Sequence, residues 1–466
     1  MQKNYSLLLI VWLLSTIALF AQDGTLDPNF TPAGTAYVRA VKRLSNGKVL
    51  ISHSSGISGG LKMFNDNGTD FPFTFQQAPQ QTEFSNNWVQ QILEQPDGKI
   101  ILVNAASSPK IFRYNPDGSK DSLFQANVGT GANITIRKGL LDSDGKIVLI
   151  GQFTSFNNVP KGGIVRLNSD GTIDDTFLAT GQSFTPDFKD IVKCSTGGYF
   201  IGGSINNFNG SSYDVKTVKI LSDGTRDTSW HCEMNGNFTR ILQIADGKLI
   251  GANGTEIQRL KLDGTEDTIL AGIGAGSSSA AINAMHLQAD GKIIVVGSVT
   301  MHVKHGSGNP QTVHDIYRML PSGDLDTTFN VGTGPSQNIW SSELTNTGAV
   351  LVGGAFWMFN GQTRDYVARL INSGLPPNVN PPAAILALPS SEQVNVYPNP
   401  TKDLIYLSGD ADFDRAEIYN SMGQQMRSFV GNGLHQIDLA EFQNGFYLVK
   451  LIKNGAMIKM ERVVKI

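Results

Sequence analysis

One motif returns seven times along this chain and leaves few folds open to it. It is an Asp-Gly or Ser-Gly turn, an aspartate three residues after the glycine and an aromatic six after it. The first copy is Asp23-Gly24-Thr25-Leu26-Asp27-Pro28-Asn29-Phe30, and Asp117 to Phe124, Asp170 to Phe177, Asp223 to Trp230 and Ser322 to Phe329 follow it. Asp263 to Leu270 is a weaker copy and Asn67 to Phe73 one shortened by a residue. A second motif trails each by 23 to 30 residues: a turn, often Asp-Gly-Lys, then a short aliphatic run such as Lys292-Ile293-Ile294-Val295-Val296-Gly297. Short β-branched runs bounded by glycine read as buried strands, and Asp-Gly before them as hairpin turns.

Two further segments complete each unit. One precedes the Asp-Gly turn, as in Ile164-Val165-Arg166-Leu167, and one precedes the Asp-Gly-Lys turn, as in Tyr37-Val38-Arg39-Ala40-Val41. Four strands per unit of about 50 residues, in constant rotation, predict a seven-bladed β-propeller. A two-sheet sandwich, with roughly seven strands in about 100 residues, does not accommodate them. Only six outer strands lie between the seven inner sets. The seventh is the Asp23 to Phe30 copy, so the N-terminal segment is predicted to pair with the last blade and leave no open edge.

The flanks differ from this body. Residues 1–21 carry Lys3 and an apolar stretch from Leu7 to Phe20, too short for a comfortable span of about 20 residues, which reads as a signal peptide cleaved after Ala21. No later stretch is apolar enough to be a transmembrane helix. The propeller is expected over 22–375 and a Pro-rich linker over 376–393. Residues 394–466 alternate as a small antiparallel β-sandwich, immunoglobulin-like in outline, so the fold class is all-β.

The propeller motifs resemble the delta-60 repeat family of bacterial surface proteins. The last domain resembles the type A C-terminal sorting domain of the type IX secretion system of Bacteroidetes. That resemblance is carried by Tyr397, Pro398, Asn399 and Pro400, by Gly423, by Gly445 and Tyr447, and by the final segment with Lys465. It implies passage through the periplasm, then export by the type IX machinery through residues 394–466, to the outer-membrane surface or the medium. No defined reaction comes with the delta-60 family.

Charge narrows the function. Lys and Arg number 37 against 40 Asp and Glu, which leaves no basic footprint for nucleic acid. The Asp-Gly turns share one face of a propeller and the variable loops the other, where a glycan or protein ligand is expected. Counting eight back from each inner-strand turn glycine gives Arg39, Gln90, Arg137, Lys189, Thr239, Asn283 and Trp340. These are expected to ring the channel mouth; Arg39, Arg137, Lys189 and Trp340 are the candidate binding residues, suited to a small anion or a sugar acid. Trp88, Trp340, Phe356 and Trp357 are candidate stacking aromatics.

Metal and catalytic readings are weaker. Asp27, Asp121, Asp174, Asp227, Asp267 and Asp326 lie on different blades and cannot converge on one calcium, so bonds to turn backbone are expected instead. His302, His305 and His314, within 13 residues, could bind zinc, but without a recognisable fourth ligand they read as a polar insertion outside the strands. Inner-strand acids are limited to Glu94, Asp190 and Glu343, and neither a nucleophile elbow nor a phosphate-binding loop is present. The sequence therefore predicts a binding or scaffold module without a cofactor. The alternative is a secreted polysaccharide-active enzyme with its site on the loop face. Cys194 and Cys232 are expected to remain two separate thiols.

Overall fold

The computed structural model describes residues 22–55, 58–75, 89–104, 111–142, 144–177, 184–208, 211–232, 238–274, 280–307, 309–374, 376, 395–397, 401–408, 415–420, 425–431, 434–453 and 456–465. The predicted signal peptide, nearly all of the linker, Trp88, Pro398, Asn399, Pro400 and Gly423 lie outside these residues. The chain divides into two compact units, one ending at Val379 and one beginning at Asn380. No described helix is long and apolar enough to cross a membrane.

In the first unit each buried aliphatic run becomes the middle strand of an antiparallel sheet. Ile147–Gly151, for example, is buried throughout and pairs with Ile136–Leu141 on one side and Ile164–Leu167 on the other. The same three-strand core is built on Tyr37–Arg43, Val89–Glu94, Phe184–Lys193, Arg240–Gln243, Ala281–Leu287 and Ile339–Leu344. These inner strands contact one another in chain order, and Ile339–Leu344 returns to Tyr37–Arg43, which closes a ring. The core lies between sheets: Val148 and Ile150 pack with Ile191, Ile201 and Val218 of the next blade.

The fourth strand is mostly shorter than expected. Beyond each Asp-Gly turn the outer segment makes a single bridge, such as Leu167 to Ile173 or Met319 to Leu325. Among the described residues only the fifth sheet carries a full fourth strand, Glu266–Gly274. After Asp121 the chain enters a short helix, Ser122–Val128, because the Asp121 carboxylate accepts from Phe124 N at 3.0 Å and caps it. The seam follows the expected pairing. Gly24 N donates to Ile371 O, Asp27 N to Arg369 O and Ile371 N to Thr25 O, each at 2.8 Å. The Asp23 carboxylate takes bonds from Ser373 N and Arg318.

The repeat aspartates are used as turn and blade fasteners. One oxygen of Asp174 accepts from Thr176 N and Oγ1, and the other from Arg166 Nε at 2.7 Å and Lys146 Nζ at 2.8 Å. The cation eight residues earlier recurs in Lys62–Asp70, Arg113–Asp121, Lys219–Asp227, Arg259–Asp267 and Arg318–Asp326, and Arg369–Asp27 supplies it across the seam. The repeat aromatic then stacks on the arginine: Phe177 lies 4.5 Å from Arg166 and Phe30 4.9 Å from Arg369.

One expectation is corrected here. The histidine segment is not a polar insertion outside the strands. Met301–Lys304 pairs with Glu266–Gly274 of the preceding sheet, and His302, fully buried, packs on Tyr317 and bonds Gly323 O at 3.0 Å. Phe356, a candidate stacking aromatic for which blade packing is the favoured reading, is a core residue fully buried with Phe359. As expected, Cys194 and Cys232 are not bridged, and both pack with Trp230 and Phe238 in one apolar cluster.

In the second unit Asn395–Tyr397, Leu404–Ser408 and Gln436–Asp438 form one sheet, and four strands from Arg415 to Lys465 form the other. Ile405 and Leu407 of the first meet Ala416, Ile418 and Val449 of the second in one core, which makes a sandwich. Lys465 is buried there, its ammonium donating to Asp403 and to Leu439 O. The Tyr447 hydroxyl donates to Gln443 O, whereas Tyr397 is half exposed beside Tyr406.

Candidate functional site

The inner strands do not pair evenly. In six of them the register skips one residue, and the skipped residues are Arg39, Gln90, Arg137, Lys189, Asn283 and Trp340. Such a bulge leaves the extra residue unpaired and re-aims its side chain. Thr239 holds the equivalent place in the fifth blade, one residue before its strand begins. All seven line a single central cavity of about 940 Å³.

In four of the six sheets the second repeat motif marks the bulge, while His53 and Asn104 stand in place of its last glycine in the first two. Its last glycine, as in Ile293-Ile294-Val295-Val296-Gly297, faces the bulge across the sheet, and a Cβ on Gly297 would strike the carbonyl oxygen of Ala281. Gly151, Gly203 and Gly354 meet Thr135, Asp187 and Asn338 carbonyls in the same way. The glycine is thus the sequence signal for a re-aimed mouth residue.

The mouth is basic, and its cations are positioned. Arg39 lies over the Trp340 ring at 3.6 Å, and burial pulls its guanidinium below the usual value. Arg137 Nη2 donates to Gln152 Oε1 at 3.3 Å, and Gln152 in turn donates to Asp187, which pairs with Lys189 at 2.9 Å. Arg137 Nε is buried with no acceptor.

Deeper in the channel the acids are committed to neighbouring blades. Asp190 accepts from Ile241 N and Ile191 N and pairs with Lys138. Glu343 takes Arg43 N and Lys42, while Glu94 takes Ser45 N and Oγ. His286 Nε2 stands 2.8 Å from Ser342 Oγ, the same kind of reach to the next blade. Burial, and then the nearby Lys138 charge, lowers His286 to about 4, so the ring is neutral.

The three histidines are not gathered: His302 is in the core while His305 and His314 are exposed. Among the described residues no three His, Cys, Asp or Glu side chains are placed to hold a metal ion.

Two aromatic residues at the mouth were missed by sequence reasoning. Tyr37 meets Trp340 edge-on at 5.7 Å and Tyr366 at 5.2 Å. Tyr366 has φ 64°, a left-handed conformation in which Gly163 has φ 77° at the matching place of the third blade. Laying Gly151 to Gly163 over Gly354 to Tyr366 would have exposed that departure.

A closed ring of antiparallel sheets around a polar channel, followed by a small sandwich, defines an all-β propeller protein with an appended domain. Residues 95–124, 143–177, 288–329 and 346–374 match the family described as a domain of unknown function (DUF5122) beta-propeller. Residues 395–465 match the secretion system C-terminal sorting domain. The chain therefore combines a propeller with segments that match the DUF5122 model and a C-terminal domain that matches a type IX secretion sorting domain, which marks it for export.

No curated protein matches the chain. Similar solved structures include an extracellular domain of BT4673 from B. thetaiotaomicron, with TM-score 0.43, 12% identity, 93% of this chain and 57% of that one covered. PorZ, a surface component of the type IX secretion system of Porphyromonas gingivalis, has TM-score 0.47 and 13% identity over 94% and 60%. Virginiamycin B lyase from Staphylococcus aureus has TM-score 0.40 and 14% identity over 72% and 95%. The chain thus spans about three fifths of the length of the first two.

Proposed function

We propose that this protein is a binding module of the cell surface or the medium, holding a glycan or protein ligand at the channel mouth. The observation that carries the reading is the bulge ring, in which the fold turns one side chain per blade toward a shared cavity and places Arg39, Arg137 and Lys189 among them. Cavities of about 300–1,000 Å³ suit compact ligands. Binding rather than turnover is favoured because Glu94, Asp190 and Glu343 are occupied with neighbouring blades, whereas a glycosidase needs two carboxylates flanking one bond.

Export follows from the sorting domain, after which the mature protein is attached at the outer-membrane surface or released. A chain ending at residue 393 should accumulate in the periplasm, and its normal appearance outside would overturn the export reading. For binding, the full exported chain is screened on a glycan array and against surface proteins. Ligands should be lost in Arg137→Gln and Lys189→Gln with the fold intact; ligands that ignore both substitutions place the site elsewhere.

A further inference from the structure

The mouth is not uniform around the ring. On the side of the first and seventh blades three aromatic residues from separate segments meet: Tyr37, Trp340 and Tyr366. Tyr37 is 46% exposed although its neighbours fix its plane, so it offers an oriented ring to solvent. Trp340 is covered by Arg39 at 3.6 Å, which holds a partly desolvated guanidinium at the border of that ring.

The backbone here is kept under strain. Tyr366 adopts φ 64° where the third blade has Gly163, and a bulky residue rarely occupies that region. The conformation is imposed by the sheet, since Tyr366 O accepts from Gly354 N as Gly163 O accepts from Gly151 N. Glycine would satisfy this position without strain; the tyrosine instead packs on the cluster of Val38 and Val367 and holds the Tyr37 ring edge-on. The adjoining Arg364 has its Nε buried without an acceptor, and the neighbouring carboxylate of Asp365 is taken by Gly34 N at 2.8 Å. Across the cavity Arg137 Nε is likewise without one.

We infer that this part of the mouth is a subsite for a hexuronic acid unit, so that the ligand is an acidic oligosaccharide. The inference rests on the mouth being the ligand site. A pyranose presents an apolar C–H face that suits an exposed tyrosine ring, and its carboxylate complements the Arg39 guanidinium held beside that ring on Trp340. A neutral sugar gains nothing from the cations Arg39, Arg137 and Lys189 that line the mouth. An acidic peptide satisfies the charge but has no rigid apolar face to set against Tyr37.

The test is calorimetric titration of the full exported chain with trisaccharides of galacturonate and of mannuronate. The same trisaccharides with carboxyls reduced to alcohols, and an oligoglutamate, serve as controls. We expect at least one acidic trisaccharide to bind tenfold or more tighter than its reduced form and than oligoglutamate. Affinity should fall at least tenfold in Tyr37→Ala and in Tyr366→Gly. Because Tyr37 is 46% exposed, Tyr37→Ala should keep the parent's melting temperature within a few degrees, which separates loss of the subsite from loss of fold. Equal binding of acidic and reduced forms, tighter binding of oligoglutamate, or no binding of either uronate at millimolar concentration would overturn the inference. So would affinity untouched by both tyrosine substitutions. Failure of the wider reading is distinct: it would show as array or protein ligands indifferent to Arg137→Gln and Lys189→Gln.

Discussion

The two ends of the channel are built on opposite principles. At the turn end every positive φ falls on glycine, and the aspartate before it bonds the backbone two residues on, as Asp170 does with Thr172 N at 2.9 Å. At the mouth end the non-glycine residues with positive φ collect: Asn157, Asn158, Asp315, Asn360 and Tyr366 all lie between middle and third strands. The turn end is a local device repeated until a ring closes. The mouth end departs from local preference and depends on the finished ring to hold it. A structure that spends its regularity on one face leaves the other free to differ blade by blade.

Opening the ring is the harshest way to break that division. Without residues 23–30 the last blade loses its closing segment, Phe30 leaves the cluster with Val38 and Val367, and Arg369 loses Asp27. The loss should exceed about 3 kcal/mol, from one large buried side chain and one buried ion pair, with association through the bared edge. Urea unfolding and gel filtration check both effects; an unchanged midpoint and a monomer would contradict the seam.

Within the turn end, burial ranks the fasteners. Arg318 and Asp326 are 2% and 4% exposed, and Arg318→Ala leaves the buried carboxylate with only Lys292 and Thr328 and takes a partner from Asp23, which should cost about 3 kcal/mol. Arg259 and Asp267 have side chains 27% and 21% exposed, and Arg259→Ala should cost about 1 kcal/mol or less. Similar losses in the two variants would mean that the ring, not burial, sets the value of each pair.

At the mouth end Gly297→Ala should cost about 1–3 kcal/mol, because its Cβ has nowhere to go but into the Ala281 carbonyl. The substitution should also flatten the bulge that turns Asn283 into the channel. A thermal melt reads the first effect and amide exchange across Ala281–Leu287 the second. Full stability with unchanged exchange would remove the glycine from the account of the mouth.

Much of this was legible in the chain because repetition averages away local ambiguity. Seven turns in register located the sheets, the mouth ring and the N-terminal closing segment, since turn chemistry and strand period both act over a few residues. What escaped depended on contacts between distant segments. The outer segments end early because the chain turns at the repeat aspartate, where Phe177 N bonds Asp174 O, and only the folded blade shows how little of the segment stays in the sheet. His302 looked polar by composition, but its strand is claimed by Glu266–Gly274 of the previous blade. Tyr37 and Tyr366 are 329 positions apart in sequence, and only ring closure brings them together.

Acid sharpens the comparison most finely, because the two ends titrate in different ranges. At the turn end burial alone would raise Asp326, but bonds from Thr328 and Arg318 outweigh it and hold the carboxyl at about 2. Its stabilisation is complete above the unfolded value of about 4 and is lost only as pH falls from there toward 2. At the channel His286 is held at about 4 against an unfolded 6.5, so the unfolded chain takes up a proton that the native one refuses. Stability therefore falls as pH drops from about 6.5 to 4, by at most about 3 kcal/mol from this group. Burial lowers His53 and His302 as well, which adds to the same trend. Asp315 works against them: burial, only partly offset by the bond from Val299 N, raises it to about 6, so the native state gains stability as pH falls from 6 toward 4. Between pH 7 and 5 the protein should lose stability gently, with the histidines prevailing. His286→Gln should flatten the slope. Asp315→Asn keeps a side chain that tolerates positive φ and should steepen it while raising stability at pH 7. Chemical unfolding at pH 7, 6 and 5 measures all three slopes. Identical slopes would mean that neither group is as buried in solution as the channel and loop geometry place it, and the mouth end would then owe nothing to protons in this range.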